Sequence, residues 1–548
     1  MNPLASYQCA RRLLMALAAI SSIVLAVGCG GSSGPTPNNN GFSNSSLSGT
    51  YVLAVSGTDV NAKAASESFF AIVGTITADG NGNITGGTVD INDPDLGTPG
   101  VFPGLSLTAS KYSITQDGRG TGTLATPQGN FGLDFVLTST SHALITRFDG
   151  GGTGSGTLDL QSSTSQTALT SLAFSLSGSD VNGNPLSTVG GFSLNSSGTI
   201  TPAGLQDFND AGDSAVSGLA GLALNGTLVL NSGGTSGTAT LTTSSSFASL
   251  GFDVWVIDST HLKLIETDTS GPALSGDAFT QQTSFNAGQL VFTAAGLDLS
   301  GDPVAVGGFV TTDATGDLSA GVEDYNNAGT PNTVPTFTGS CVTFVAGRCQ
   351  LNTSGLTNGS ASNLEFAAYP SSAGVLLLED DNVGVLQGTA YSQTATAFAV
   401  PGGYGLNLSG VNADAEGDVG EVDDIAQFNA TSAAAPAVNM TGVLDENTIL
   451  DGPLSPATLS GTFTPDSPAT GRGSIGVPNI ENLIGTLNLE YYVVNSSTAV
   501  FIDVDQEQVA IGTFEGQSSS GSAAAAQSRI SMMRIAVRPH AAAAFPRK

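Results

Sequence analysis

Positive charge is scarce in this 548-residue sequence: 14 Lys and Arg stand against 45 Asp and Glu, a formal net charge of −31. Arg11 and Arg12 lie near the start, and Arg529, Arg534, Arg538, Arg547 and Lys548 near the end, so seven basic residues face all 45 acids in between. Such a surface repels nucleic acid and anionic lipid, and no basic stripe with interleaved aromatics offsets it. Three His are too few for most catalytic designs. His142 and His261 hold equivalent places after a Ser or Thr, but neighbours on a strand point to opposite faces, so Ser141 and His142 are poorly placed to share a proton. Trp255 is the single Trp and reads as core packing. No Gly loop runs into a helix and a Lys as a phosphate cradle requires.

Glycine is plentiful, 72 residues, and only 11% of residues are charged. This suits many short strands joined by tight turns and argues against disorder. The chain is organised by a stretch that recurs four times, an apolar strand running into an Asp with a Gln twelve or thirteen residues on. The pairs are Asp149 and Gln161, Asp268 and Gln281, Asp381 and Gln393, and Asp505 and Gln517, with the Asp positions 119, 113 and 124 residues apart. A period that long marks a repeated domain. Further landmarks keep step: Asp90-Ile-Asn92, Asp207-Phe-Asn209 and Asp324-Tyr-Asn326 follow one another at 117 residues.

The units expected are 47–161, 168–281, 285–393 and a degenerate 394–517, in which Gln427-Phe-Asn429 follows Gly410 so soon that one hairpin reads as shortened. In the first unit, β-branched and apolar runs predict eight strands: Thr50 to Ser56, Phe69 to Ala78, Asn83 to Asn92, Ser106 to Gln116, Gly120 to Ala125, Phe131 to Thr138, Ala143 to Asp149 and Ser155 to Gln161. The fold class is therefore all-β: four tandem antiparallel domains of about 115 residues. Each is expected to be an eight-stranded up-and-down barrel, with a β-sandwich as the alternative.

Residues 1–28 combine Arg11-Arg12, an apolar run from Leu13 to Val27 and a small residue before Cys29. This is a secretory signal, too short to span a bilayer. At Leu25-Ala-Val-Gly-Cys29 it resembles bacterial lipoprotein signal peptides. The resemblance implies cleavage before Cys29, lipidation of its thiol and anchorage without a membrane span. Gly30 is not the Asp that marks inner-membrane retention in Gram-negative lipoproteins, so the resemblance points to the outer membrane or cell surface. Residues 29–46 form the lipidated Cys and a flexible tether, and 518–548 a Ser/Ala linker and basic tail. Gly82-Asn-Ile-Thr-Gly-Gly87 after an Asp-Gly-Asn turn is similar to the uncharacterised Gly/Thr-rich repeat lipoproteins of environmental bacteria, which implies no activity.

Cys341 and Cys349 are expected to form a disulfide across a hairpin in this exported setting. Calcium candidates are the turn residues Asp79, Asn81 and Asn83 and the same-face acid pairs Glu266/Asp268, Glu379/Asp381 and Asp503/Asp505, with turn chemistry the competing explanation. No cofactor is expected. The function expected is a surface-anchored, non-enzymatic lipoprotein that displays β-domains for adhesion or for binding a protein or glycan. The alternatives are a carrier of small apolar ligands and an extracellular polysaccharide hydrolase.

Overall fold

The computed structural model describes residues 41–519 except 62–65, 213–217, 246, 248, 415–417, 434–436, 455, 467–468 and 479–485. Cys29, most of the tether and the basic tail lie outside the described residues. The body is four tandem antiparallel β-domains, three closed eight-stranded barrels and an incompletely closed first unit. That unit holds β1 (Ser48–Asn61), β2 (Ser66–Asp79), β3 (Ile84–Asn92), β4 (Val101–Ser106), β5 (Lys111–Ile114), β6 (Arg119–Thr126), β7 (Gly129–Leu137), β8 (His142–Asp149) and β9 (Gly152–Leu160). It forms one sheet in the order β4-β3-β2-β1-β9-β8-β7-β6-β5, tacked at its seam by the single bridge Asn83 to Lys111. The second and third units close where their first and last strands pair, Ser171–Ser179 with Ala273–Thr280 and Gly288–Asp298 with Gly384–Ser392. The fourth closes likewise through Gly402–Ala413 and Gln508–Gly516.

No unit is a two-sheet sandwich. Two local expectations also change. The strand expected over Ser106 to Gln116 shortens to β5, because Ala109 turns the chain with φ 46°, and the preceding β4 is a ninth strand. The fourth unit has no shortened hairpin: Gly402–Ala413 pairs with Val419–Ser432 over twelve residues. The counterpart of the Asp-x-Asn landmark is Asp445-Glu-Asn447 on the following strand, Val438–Thr448.

Alternate residues of each strand fill the unit's interior. In the fourth unit Phe398, Tyr404, Phe428, Phe463, Tyr491 and Phe514 pack ring on ring. The third interior, lined by residues such as Phe292, Phe337, Leu351 and Phe366, keeps a void of about 50 Å³. Drug-sized ligand pockets run to roughly 300–1,000 Å³.

The outer faces are apolar where units meet. Ala173, Val189 and Phe279 of the second unit pack on Ala367, Tyr369, Leu376 and Leu378 of the third. Apolar clusters join the other units as well. The strands that end near the recurring Asp, such as Val375–Glu379, are consequently buried on both faces.

Candidate functional site at the barrel junctions

The repeated polar residues point out of their own unit and into the next. Asn92 donates through Nδ2 to the Glu266 carbonyl (3.0 Å), and Asn209 to those of Glu379 (2.7 Å) and Gly384 (2.8 Å). Asn326 reaches Asp503 O, Asp505 O and Gln508 O at 2.8–3.1 Å. Asn447 completes the series by donating to Arg147 O, Asp149 O and Gly152 O at 2.9, 3.3 and 2.9 Å. Unit one is thus joined to two, two to three, three to four, and four back to one: the four units form a closed ring.

The recurring Gln repeats this circuit at the other end of the strands. Gln161 donates to Thr235 O and Val256 O, Gln281 to Ala346 O, and Gln393 to Thr470 O and Val493 O. Gln517 donates to Asp117 O (2.8 Å) and Leu137 O (2.9 Å). The next residue each time adds a backbone bond: Ser162 to Ile257, Gln282 to Pro370, Thr394 to Val494 and Ser518 to Thr138. Gly118, Gly347 and Gly471 seat three of the Gln side chains. All three have positive φ, and a Cβ on any of them would lie 2.2–2.6 Å from the Gln Nε2. The contact between units four and one matches the others although no short peptide link joins them. The interface itself, rather than a linker, accounts for it.

The few cations also serve this frame. Arg348 Nε bonds both carboxylate oxygens of Asp207 (2.9 and 3.0 Å), and Arg472 holds Asp324 at 2.6 and 2.8 Å. Arg119 lies 3.5 Å from Asp445, and Trp255 Nε1 donates to Asp90 (2.8 Å). In each case the Asp is the first residue of the Asp-x-Asn landmark and its partner belongs to the next unit.

A buried charge cluster gathers side chains from all four units. His142 Nδ1 lies 2.8 Å from Asp159, and its Nε2 lies 3.3 Å from Glu515 of the fourth unit. Lys263 and His261 each approach Asp277 Oδ1 to 2.6 Å. Burial opposes a charge on His142, but Glu515 and Asp159 outweigh it and raise its pKa to about 10. Burial instead depresses His261, and the Lys263 charge adds to that. Burial pushes up Tyr391 of the third unit, which also feels the charges of Asp277 and Glu515. Burial opposes ionisation of Asp159 and Asp277 too, yet their cationic partners leave both below the usual range.

No protein-family model and no curated protein matches the chain. Among solved structures it is similar to the transferrin binding protein B vaccine antigen of Haemophilus parasuis. A single mutant of that antigen is 8% identical, with 85% of this chain and 76% of that chain covered and a TM-score of 0.16. A double mutant is 9% identical over 70% and 82%, also at 0.16. CghA with Sch210972 is 12% identical over 86% and 88%, at 0.13. TM-scores this low carry no argument about this chain.

The calcium candidates brace backbone. Asp79 Oδ1 accepts the N–H groups of Asn81 and Asn83, and Oδ2 accepts Asn83 Nδ2, which is turn chemistry. Each recurring Asp accepts a backbone N–H from the strand before its own: Asp149 from Gly132, Asp268 from Gly251, Asp381 from Glu365 and Asp505 from Asn488. Glu266 and Asp503 accept the N–H of Asp268 and Asp505, and Glu379 that of Leu386. Among the described residues no group of three or more His, Cys, Asp or Glu side chains is arranged to hold a metal. Cys341 and Cys349 are bonded across their hairpin, Cα to Cα 5.7 Å.

The acids two residues before the recurring Asp fall within a wider set of buried carboxyls. Burial raises Glu266 and Glu323 to about 9, Asp59 to about 8 and Glu446 to about 7. The folded chain therefore keeps protons that the unfolded chain releases from about pH 4 upward, so stability falls as pH rises from about 4 to 9. His142 adds a loss of the same sign between about pH 6.5 and 10. Asp159 and Asp277 act oppositely, losing their contribution below about pH 4. Chemical denaturation should show the chain at least about 3 kcal/mol more stable at pH 5 than at pH 8.5. Equal or greater stability at pH 8.5 would contradict these protonation states.

Proposed function

We propose that this chain is a non-enzymatic lipoprotein of the cell envelope, anchored through Cys29, whose ring of barrels is a rigid platform that binds a cell-surface protein or glycan. One observation carries the reading. The repeated Asn and Gln residues join barrels, the recurring Asp residues brace hairpins, the fourth interior is packed with aromatic rings and the third keeps only about 50 Å³, which leaves the outer surface for recognition. An open cleft of about 490 Å³ between units one and two favours a polar ligand. Its lining includes Ser68, Asn182, Thr269 and Ser270, together with Asp95 and Asp268, and these groups suit sugar hydroxyls.

Two observations weigh against the alternatives. The third interior is too small for a carried ligand. Asp59 and Asp93, a raised carboxyl pair near the cleft, are hydrogen-bonded to each other. Glycosidase acids stand about 5–9.5 Å apart.

Metabolic labelling with palmitate tests the anchor: the wild-type chain should take up label and sediment with membranes, and Cys29→Ala should do neither. A glycan array probed with the purified chain tests the platform, with Thr269→Trp expected to abolish any signal by filling the cleft. Label on Cys29→Ala would overturn the anchor, and a signal unaffected by Thr269→Trp would overturn the cleft.

A further inference from the structure

We propose that the face of the ring carrying the four recurring Gln residues lies against the lipid surface, with the disulfide-stapled hairpin tip of unit three, Val342, Phe344 and Val345, seated at the headgroups. The proposal rests on the Cys29 anchor and adds the orientation and the contact surface.

Both described ends of the chain leave from this face. Phe42 is buried and donates its N–H to Gln116 O, beside the Gly118 seat of Gln517. A Cβ on Gly41 would lie 3.2 Å from Ser519 Oγ. Eleven residues lie between Cys29 and Gly41, so the link spans at most about 43 Å of extended chain. A short leash attached to one face holds that face toward the membrane.

Apolar side chains are exposed singly on the opposite face, at Val60, Val181 and Leu299, and as a run on this one. The turn after Val345 is the one Gln281 grips through Ala346 O, which places the tip among the four Gln residues. Val342, Phe344 and Val345 are 58%, 39% and 62% exposed, a cluster rather than a scattered residue, and the Cys341–Cys349 bond staples the strand that bears them. Leu160, next to Gln161, is exposed as well.

The acids on this face sit in its turns. Asp79, Asp258 and Asp313 accept N–H groups of their own turns, Asp317 accepts the N–H of Cys341, Asp117 pairs with Arg119, and Asp466 with Arg472. Asp149, Asp268, Asp381 and Asp505 stand at the far ends of the strands. Anionic headgroups repel that far face and so favour the same orientation.

The test uses the full lipidated chain on phosphatidylethanolamine–phosphatidylglycerol vesicles whose acyl chains are brominated close to the headgroup. Val345→Trp reports this face, and Leu299→Trp, at an exposed position in the turn Asp298–Asp302, reports the other; Trp255 gives the same background in both. Flotation confirms that the protein is on the vesicles. The expected result is quenching of the Val345→Trp signal by at least half, with Leu299→Trp unchanged. Equal quenching of both, or of neither on floated vesicles, would overturn the orientation while leaving the anchor intact. A chain that fails to float, or a Cys29→Ser chain that floats equally well, would overturn the anchor and the proposal with it.

Discussion

Replacing Arg348 by Met should lower stability by about 3–5 kcal/mol, because it leaves a buried carboxylate without its cation. The guanidinium is 9% exposed at its side chain. It links units two and three by bonding Asp207, and it also donates to Gln350 (2.8 Å) and to Asp380 (2.8 Å). Tyr369 donates to the same Asp207 at 2.5 Å. Without Arg348, Asp207 and Asp380 repel each other in a site that water barely reaches. Denaturant unfolding of Arg348→Met, Asp207→Asn and the double variant would measure the coupling. The double variant should recover part of the loss, since it removes the Asp207 charge and leaves Asp380 alone without its cation. Burial already raises Asp380 to about 6, so the Arg348→Met deficit should shrink on moving from pH 8 to pH 5 as that carboxyl takes a proton. A deficit below about 1 kcal/mol would mean that the pair is solvated like a surface salt bridge.

Asn447→Ala should cost about 2–4 kcal/mol, since it leaves up to three buried carbonyls of unit one without a donor and opens a small void. The comparison with Asn209→Ala is decisive. Asn209 lies at a junction that the chain links directly, whereas Asn447 lies where only non-covalent contact joins the units. In a closed ring the two variants lose similar amounts, and hydrogen exchange near Gly152 rises in Asn447→Ala. An open chain of four units would show a loss for Asn209→Ala and none for Asn447→Ala.

Strand order and the four-unit period were legible because alternation and turn residues act locally, within a few residues of one another. The Asp, Asn and Gln landmarks were legible as a rhythm, but their purpose was not. Their partners are mostly backbone carbonyls, which any residue supplies, and Asn92 meets its partner 174 residues away. Asp445-Glu-Asn447 is hard to see because Glu446 replaces the apolar centre of the landmark, which Gln427-Phe-Asn429 keeps. On its strand Gln427 bonds Gln517, whereas Asn447 occupies the junction. The charge cluster around the two His residues is illegible for a related reason: Asp159 and Asp277 sit on the neighbouring strand, and Glu515 arrives from the far end of the chain. The turn before β5 depends on one left-handed Ala, which no propensity signals.

The most direct test of the ring is a distance across its one unlinked junction. Spin labels on Gln116 in unit one and Thr431 in unit four, measured by pulsed electron resonance in frozen solution, report it. A closed ring requires a short and narrow distribution, because Gln427 and Asp117 both contact Gln517, and Asn447→Ala combined with Gln517→Ala should lengthen and broaden it. A long, broad distribution in the otherwise unmodified chain would contradict closure and reduce the structure to four units on a string.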